Sequence, residues 1–171
     1  LNFNKTGTIG LMIPHILNSV HMEIAKGVDD VAHQKECIAL MCNVENDREK
    51  ERRYLQWLIK RRVDGIIFIS SSLGKRDFEQ VQEQGIPIVL IGAYRDNDNF
   101  HVVSVDYRQA AMKAVNHLLG NGYRKIAFLY GETPQVENEQ KVEGYKQAIR
   151  DAGLSLSEDF LKRVENTIEG G

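Results

Sequence analysis

Cysteine, proline and tryptophan are scarce in this chain: two, three and one among 171 residues. The two cysteines, Cys37 and Cys42, share one apolar run, and at that separation in a strand they point to opposite faces and cannot bridge. No disulfide framework, no charged-then-apolar leader and no apolar run near membrane-spanning length are found. Charge of one sign is missing too: 22 Lys and Arg stand against 24 Asp and Glu, a formal net charge of −2. That balance gives no basic footprint for nucleic acid. The one dense basic cluster, Lys60-Arg61-Arg62, ends a helical pattern, where cations complement the last carbonyls.

Chemistry-bearing motifs are equally sparse. The turn after the first apolar run reads Pro14-His15-Ile16-Leu17, with none of the glycines a phosphate-cradling loop requires. It also lacks the acidic residues that hold a divalent metal in a phospho-acceptor switch. His15, His21, His33, His101 and His117 include no i, i+4 histidine pair with an acid, the zinc-binding pattern, and Gly-x-Ser-x-Gly is absent. The expectation is a cytoplasmic non-enzyme with no metal, no cofactor and no membrane partner.

What the chain does contain is alternation. Six strand-like apolar runs, at residues 8–13, 37–42, 65–69, 87–91, 101–105 and 125–129, are separated by amphipathic helical patterns. Continuous rather than alternating hydrophobicity predicts strands covered on both faces, hence an α/β fold with a doubly wound parallel sheet. Asn18 or Ser19 caps the first helix, whose expected buried stripe is Val20, Ile24, Val28 and Val31 with Ala25 and Ala32. Asp47 caps the second, with Glu49 and Glu51 in its first turn. Further helices are expected at about 75–84, 108–119 and 140–152, with polar loops at 95–99 and 131–139. Residues 160–164 could form a short strand. A helix start near Thr167 followed by Glu169-Gly170-Gly171 reads as a chain cut short. In open sheets of this kind ligands bind at the carboxyl ends of the strands.

Lys5 to Pro14, Glu23-Ile24-Ala25-Lys26-Gly27-Val28 and Arg62-Val63-Asp64-Gly65-Ile66-Ile67 together resemble the effector-binding region of Lac/Gal repressor family transcription regulators. Val105-Asp106-Tyr107, His117-Leu118-Leu119, Gly122 to Ala127 and Gly144-Tyr145 continue the likeness, which is nearest to the catabolite control proteins. The resemblance implies a periplasmic-binding-protein-like fold of two lobes with an effector in the cleft, and a homodimer built on the first helix and the 75–84 helix. By that comparison residues 1–7 are an entry segment after a missing DNA-binding module, 8–123 the N-terminal lobe, and 124–171 the start of a truncated C-terminal lobe.

The family's effector contacts fall, by resemblance, on Val20, His21, Ser70, Ser72, Asp106, Tyr107 and Lys141. Val20-His21 replaces the usual aromatic pair. Lys141 replaces an arginine, offering a point charge instead of a bidentate fork. Each also has a structural role open to it: core packing for Val20, helix capping for Asp106, a solvated helix surface for Lys141. The implied partners are a small, sugar-like effector or a phosphoprotein corepressor, a second copy of the chain, and operator DNA read by a module outside it. An extracytoplasmic sugar-binding protein of a transporter shares the fold and is the competing reading.

Overall fold

The computed structural model describes residues 5–94, 99–131 and 136–165. The chain divides into two compact units, Leu1–Val103 and Ser104–Gly171. Residues 95–98 of the expected loop at 95–99, residues 132–135 of that at 131–139 and the helix start near Thr167 lie outside the described residues.

Unit 1 is one parallel sheet in the order β2-β1-β3-β4-β5, built from β1 (Thr8–Ile13), β2 (Ile38–Asn43), β3 (Gly65–Ile69), β4 (Ile88–Ile91) and β5 (His101–Val103). Helices α1 (Ser19–Gln34), α2 (Arg48–Lys60) and α3 (Lys75–Glu83) connect them. All five strands expected for the first sheet are present, in register from Thr8↔Ile38 on one side of β1 and Ile9↔Gly65 on the other. The fifth is shorter than its apolar run. Val105 is 57 % exposed and lies beyond the ladder, because β5 is an edge strand with a neighbour on one side only.

Period-two alternation sorts the side chains of β1 and β3 onto two cores. Met12, Ile66 and Phe68 pack with Leu55, Leu58, Phe78 and Val81 from α2 and α3. Leu11, Ile13 and Ile69 pack beneath Ala25 of α1. Phe78 meets Phe68, Tyr94 and Phe100 edge-on with centroids 5.0, 5.9 and 5.7 Å apart, the arrangement ring quadrupoles favour. The α1 stripe is narrower than expected. Ala25 and Ala32 are buried, but Val20 and Val31 are 63 % and 54 % exposed. Periodicity alone does not tell a face covered by the sheet from one left uncovered. Ile38 and Met41 of edge strand β2 are exposed as well. Both thiols are unbridged, and burial pushes that of Cys42 up, away from reactivity.

Asp64 ties the start of β1 to the approach to β3. Its carboxylate accepts from the N–H groups of Thr6 and Gly7 at 2.9 and 2.7 Å. Those bonds, that from Thr6 foremost, hold its pKa below the ordinary carboxylate value. A carboxylate depressed in the folded state stabilises above its unfolded pKa and loses that contribution as pH falls through the folded one. Asp64→Asn should therefore lower the urea midpoint at pH 7, with the gap to the parent chain narrowing between about pH 5 and pH 2. A gap that stays constant over that range would show the bonds contribute nothing.

Unit 2 contains α4 (Tyr107–Gly120), β6 (Phe128–Gly131), α5 (Val136–Asp151) and β7 (Leu161–Val164), with β6 and β7 forming a separate parallel pair. Its core is Val115, Ile126, Tyr145, Ala148 and Ile149, and the Tyr145 hydroxyl donates to the Ile126 carbonyl at 2.9 Å. A second sheet begins where the apolar run at 125–129 predicts one, shifted by three residues because β7 pairs only from Phe128↔Leu161 onward. The grouping differs from the boundary expected at Tyr123. Helix α4 packs closely on α5 and joins unit 2, so the division falls at Val103. Gly120 and Asn121 end helix α4. Helix α5 also starts four residues before its expected position.

Candidate functional site

Chain order and strand order disagree at one place in unit 1. From β1 the chain moves to β2 on one side and then returns to β3 on the other, so the loops leaving β1 and β3 part in opposite directions. A crevice at the carboxyl ends of the strands opens at such a switch point. Val20 and His21 lie just beyond the first of these loops, and Ser70 and Ser72 on the second. These four expected site residues therefore belong to adjacent strand ends of one unit.

The β1–α1 loop is fixed by its own side chains. Asn18 caps α1, its Oδ1 accepting from the N–H groups of Val20 and His21 at 2.9 and 3.2 Å. His15 Nδ1 accepts the Leu17 N–H at 3.1 Å and so is unprotonated, which leaves its Nε2 as the N–H donor. His21 Nδ1 lies 3.3 Å from the His15 carbonyl, a group that only accepts, so in the neutral imidazole Nδ1 carries the proton and Nε2 is an acceptor. One donor and one acceptor nitrogen remain on two linked imidazoles. That combination matches a hydroxyl-bearing ligand, since a hydroxyl both gives and takes a hydrogen bond. Val20, exposed and aliphatic, offers contact area only.

The serine loop is held from beneath by a residue that the sequence reading placed merely in a helix's first turn. Glu51 of α2 is 1 % exposed, and its carboxylate accepts from the Ser71 hydroxyl, from the Ser72 N–H at 3.1 Å and from the Ser72 hydroxyl at 2.6 Å. The Ser71 N–H donates to the Tyr94 hydroxyl at 2.9 Å. Ser70 sits in the left-handed region at φ 41° with its N–H on the Ile91 carbonyl at 2.8 Å. The Ser72 hydroxyl is thus engaged by Glu51 although Ser72 itself is exposed, while Ser70 stands at the strand end itself. Glu51 shares an i, i+4, i+7 stripe with Leu55 and Leu58. A charge on an apolar stripe was the available signal. Asn43, at the end of β2, has its Oδ1 buried with no hydrogen-bond partner among the described residues.

The other three expected residues lie in unit 2. Asp106 caps α4, accepting the Gln109 N–H at 2.9 Å, so its observed role is structural. Tyr107 and Lys141 come together, the ammonium 4.9 Å from the ring centroid. Burial, then the Glu137 carboxylate, raises the Tyr107 phenol above its ordinary pKa. Lys141 is therefore oriented by a ring face and is not a loosely solvated helix lysine.

The comparisons agree with this architecture. A family model described as periplasmic binding proteins and the sugar binding domain of the LacI family matches residues 6–171. Catabolite control protein A of Priestia megaterium is 31 % identical over 98 % of this chain and 51 % of its own length. The ribose operon repressor of Halalkalibacterium halodurans is 36 % identical over 92 % of this chain and 48 % of its own. A periplasmic binding protein/LacI transcriptional regulator from Alkaliphilus metalliredigens, solved with D-xylulofuranose, is 29 % identical with a TM-score of 0.79, covering 94 % of this chain and 56 % of its own. The chain spans about half the length of the curated relatives it matches. Those relatives are transcriptional regulators, not enzymes, which favours regulation over the transporter reading. With its model matched across residues 6–171 and its strand order that of a doubly wound lobe, the chain belongs to the family of periplasmic binding proteins and LacI-type sugar-binding domains.

Proposed function

We propose that this chain is the effector-binding and dimerisation core of a bacterial transcription regulator that senses a small polyhydroxylated molecule by closure of its lobes. The observation that carries the reading is the imidazole pair at the end of β1, with one donor and one acceptor nitrogen beside the β1/β3 switch point. His21, Ser70, Tyr107 and Lys141 are the proposed contacts. Effector binding would change how paired DNA-binding modules are held, and so their fit to a two-fold operator. A phosphoprotein corepressor is the second partner class that the likeness to catabolite control proteins supports. Homodimerisation draws support from exposed Val20 and Val31 on α1 and Ile38 and Met41 on edge strand β2. Exposed apolar residues of this size are absent from α3, so the proposed interface shifts from α3 to β2. Action in the cytoplasm and without catalysis belongs to the same proposal. Among the described residues no helix is long and apolar enough to cross a membrane.

Calorimetry on the full-length regulator with a panel of pentoses and hexoses tests the site. A charge-assisted hydrogen bond contributes about 1.5–3 kcal/mol and a neutral one about 0.5–1.5, so Lys141→Ala should weaken binding of the responding sugar roughly ten- to hundredfold and His21→Ala roughly two- to tenfold. Unchanged affinity in both variants would remove the proposed site.

A further inference from the structure

Helices α2 and α3 flank a surface cavity of about 630 Å³ that shares none of the site residues named above. One end is cationic, formed by Arg48 and Arg52 of α2 with Lys75 and Arg76 of α3. Asp77 stands among these groups. Arg52 approaches it twice, Nε at 3.2 Å from Oδ1 and Nη2 at 3.5 Å from Oδ2, while Arg48 Nη2 is 3.7 Å from Oδ2. Arg52 also reaches the exposed Glu49 at 3.1 Å. Lys75 and Arg76 are exposed and have no ion pair among the described residues. Four cations thus face two carboxylates, and two guanidiniums share one of them.

The rest of the cavity is of a different character. Gln56 and Gln80 add amides, and Leu55 and Ile59 an apolar wall. A cavity of this volume is in the range that holds small organic ligands and is far larger than a bare inorganic anion.

We propose that the α2–α3 cavity is an anion site, distinct from the effector site, that takes a phosphate monoester. The phosphoryl group would lie between the arginines and the unpaired Lys75 and Arg76, with the organic part along Gln56, Gln80 and Leu55. A phosphoryl monoester carries a charge of about −1.5 to −2 at neutral pH and three acceptor oxygens, more than the single carboxylate that Arg48 and Arg52 now share. Planar guanidinium forks suit those oxygens bidentately. A nucleic-acid backbone would call for cations strung along a face, whereas these are gathered at one end of a concavity. The proposal does not depend on the effector reading.

Amide and arginine Nε resonances of the ¹⁵N-labelled chain, titrated at low salt, provide the test. Glycerol phosphate and a phosphoserine tripeptide are the two probes, and the tighter one identifies whether the ester is a free metabolite or protein-borne. Saturable shifts at Gly74, Lys75, Arg76 and Asp77 are expected. Lys75→Glu/Arg76→Glu, which alters only exposed and unpaired side chains, should weaken binding about tenfold or more. Asp77→Asn, which keeps a capping side chain but removes the competing charge, should tighten it, the opposite of a purely structural effect. Absence of saturable shifts with both esters, or equal affinity in the double-charge variant, would overturn the proposal. So would shifts at these residues from duplex DNA alone.

Discussion

Gly144→Ala should destabilise unit 2 by about 2 kcal/mol or more, although alanine is the better helix former by about 1 kcal/mol. A β-carbon at residue 144 would fall well inside contact distance of the Arg108 carbonyl oxygen and 3.0 Å from the Ala111 β-carbon. The first obstacle is backbone, which cannot swing aside as a side-chain tip can. The only remedy is for α4 to move off α5, and that opens the core of Val115, Tyr145, Ala148 and Ile149. Far-UV circular dichroism in urea should show an earlier loss of helix, whereas Trp57, the only tryptophan and a residue of unit 1, should report an unshifted midpoint. A variant as stable as the parent would mean that the two helices have room between them.

The second large effect is expected at Glu51. Glu51→Ala removes the acceptor for two hydroxyls and one backbone N–H at once and leaves a cavity in place of a carboxylate that is 1 % exposed. A hydrogen bond to a charged group contributes about 1.5–3 kcal/mol, and donors on half-buried Ser71 and exposed Ser72 can turn in part to water, so a net loss of about 2 kcal/mol is the expected result. Glu51→Gln, which presents an amide N–H₂ to donors but keeps one acceptor oxygen, should lose less. Because the serine loop flanks the proposed effector site, both variants should also lower effector affinity under conditions where they remain folded. Denaturant midpoints paired with calorimetry on the full-length regulator separate the two effects. A folded Glu51→Ala protein with parental stability and affinity would deny the carboxylate its role.

Much of unit 1 was legible because its information is local. Unbroken apolar runs marked doubly covered strands, and Asn18 and Asp47, like Asp106 in unit 2, proved to be helix caps where short polar side chains precede amphipathic patterns. What escaped depends on partners distant in sequence. Whether Val20 is buried is decided by what lies opposite α1, and no periodicity encodes that. That α4 groups with α5 was not legible because Gly120 and Gly122 end a helix conspicuously, while the closeness of the two helices rests on the missing side chain of Gly144, dozens of residues away. Glu51 was hidden by its neighbour Glu49, since acids in a first helical turn already have a sufficient explanation in the helix dipole. Of the candidate site, residue positions could be carried over by resemblance. Their chemistry could not, because the proton positions on His15 and His21 follow from contacts that only the folded loop creates.

The out-of-order arrangement of β1 has a consequence for biosynthesis. β1 is an interior strand, with Leu11 and Ile13 wholly buried, yet Ile9 waits for Gly65, 56 positions later, to complete its pairing. At translation rates of about 5–20 residues per second, one flank of an almost wholly apolar strand stays unpaired for roughly 3–11 s on the ribosome. During that interval the nascent α1–β2 segment can cover one edge only. The arrangement that opens a crevice for a ligand thus also lengthens the time this segment is a substrate for chaperones.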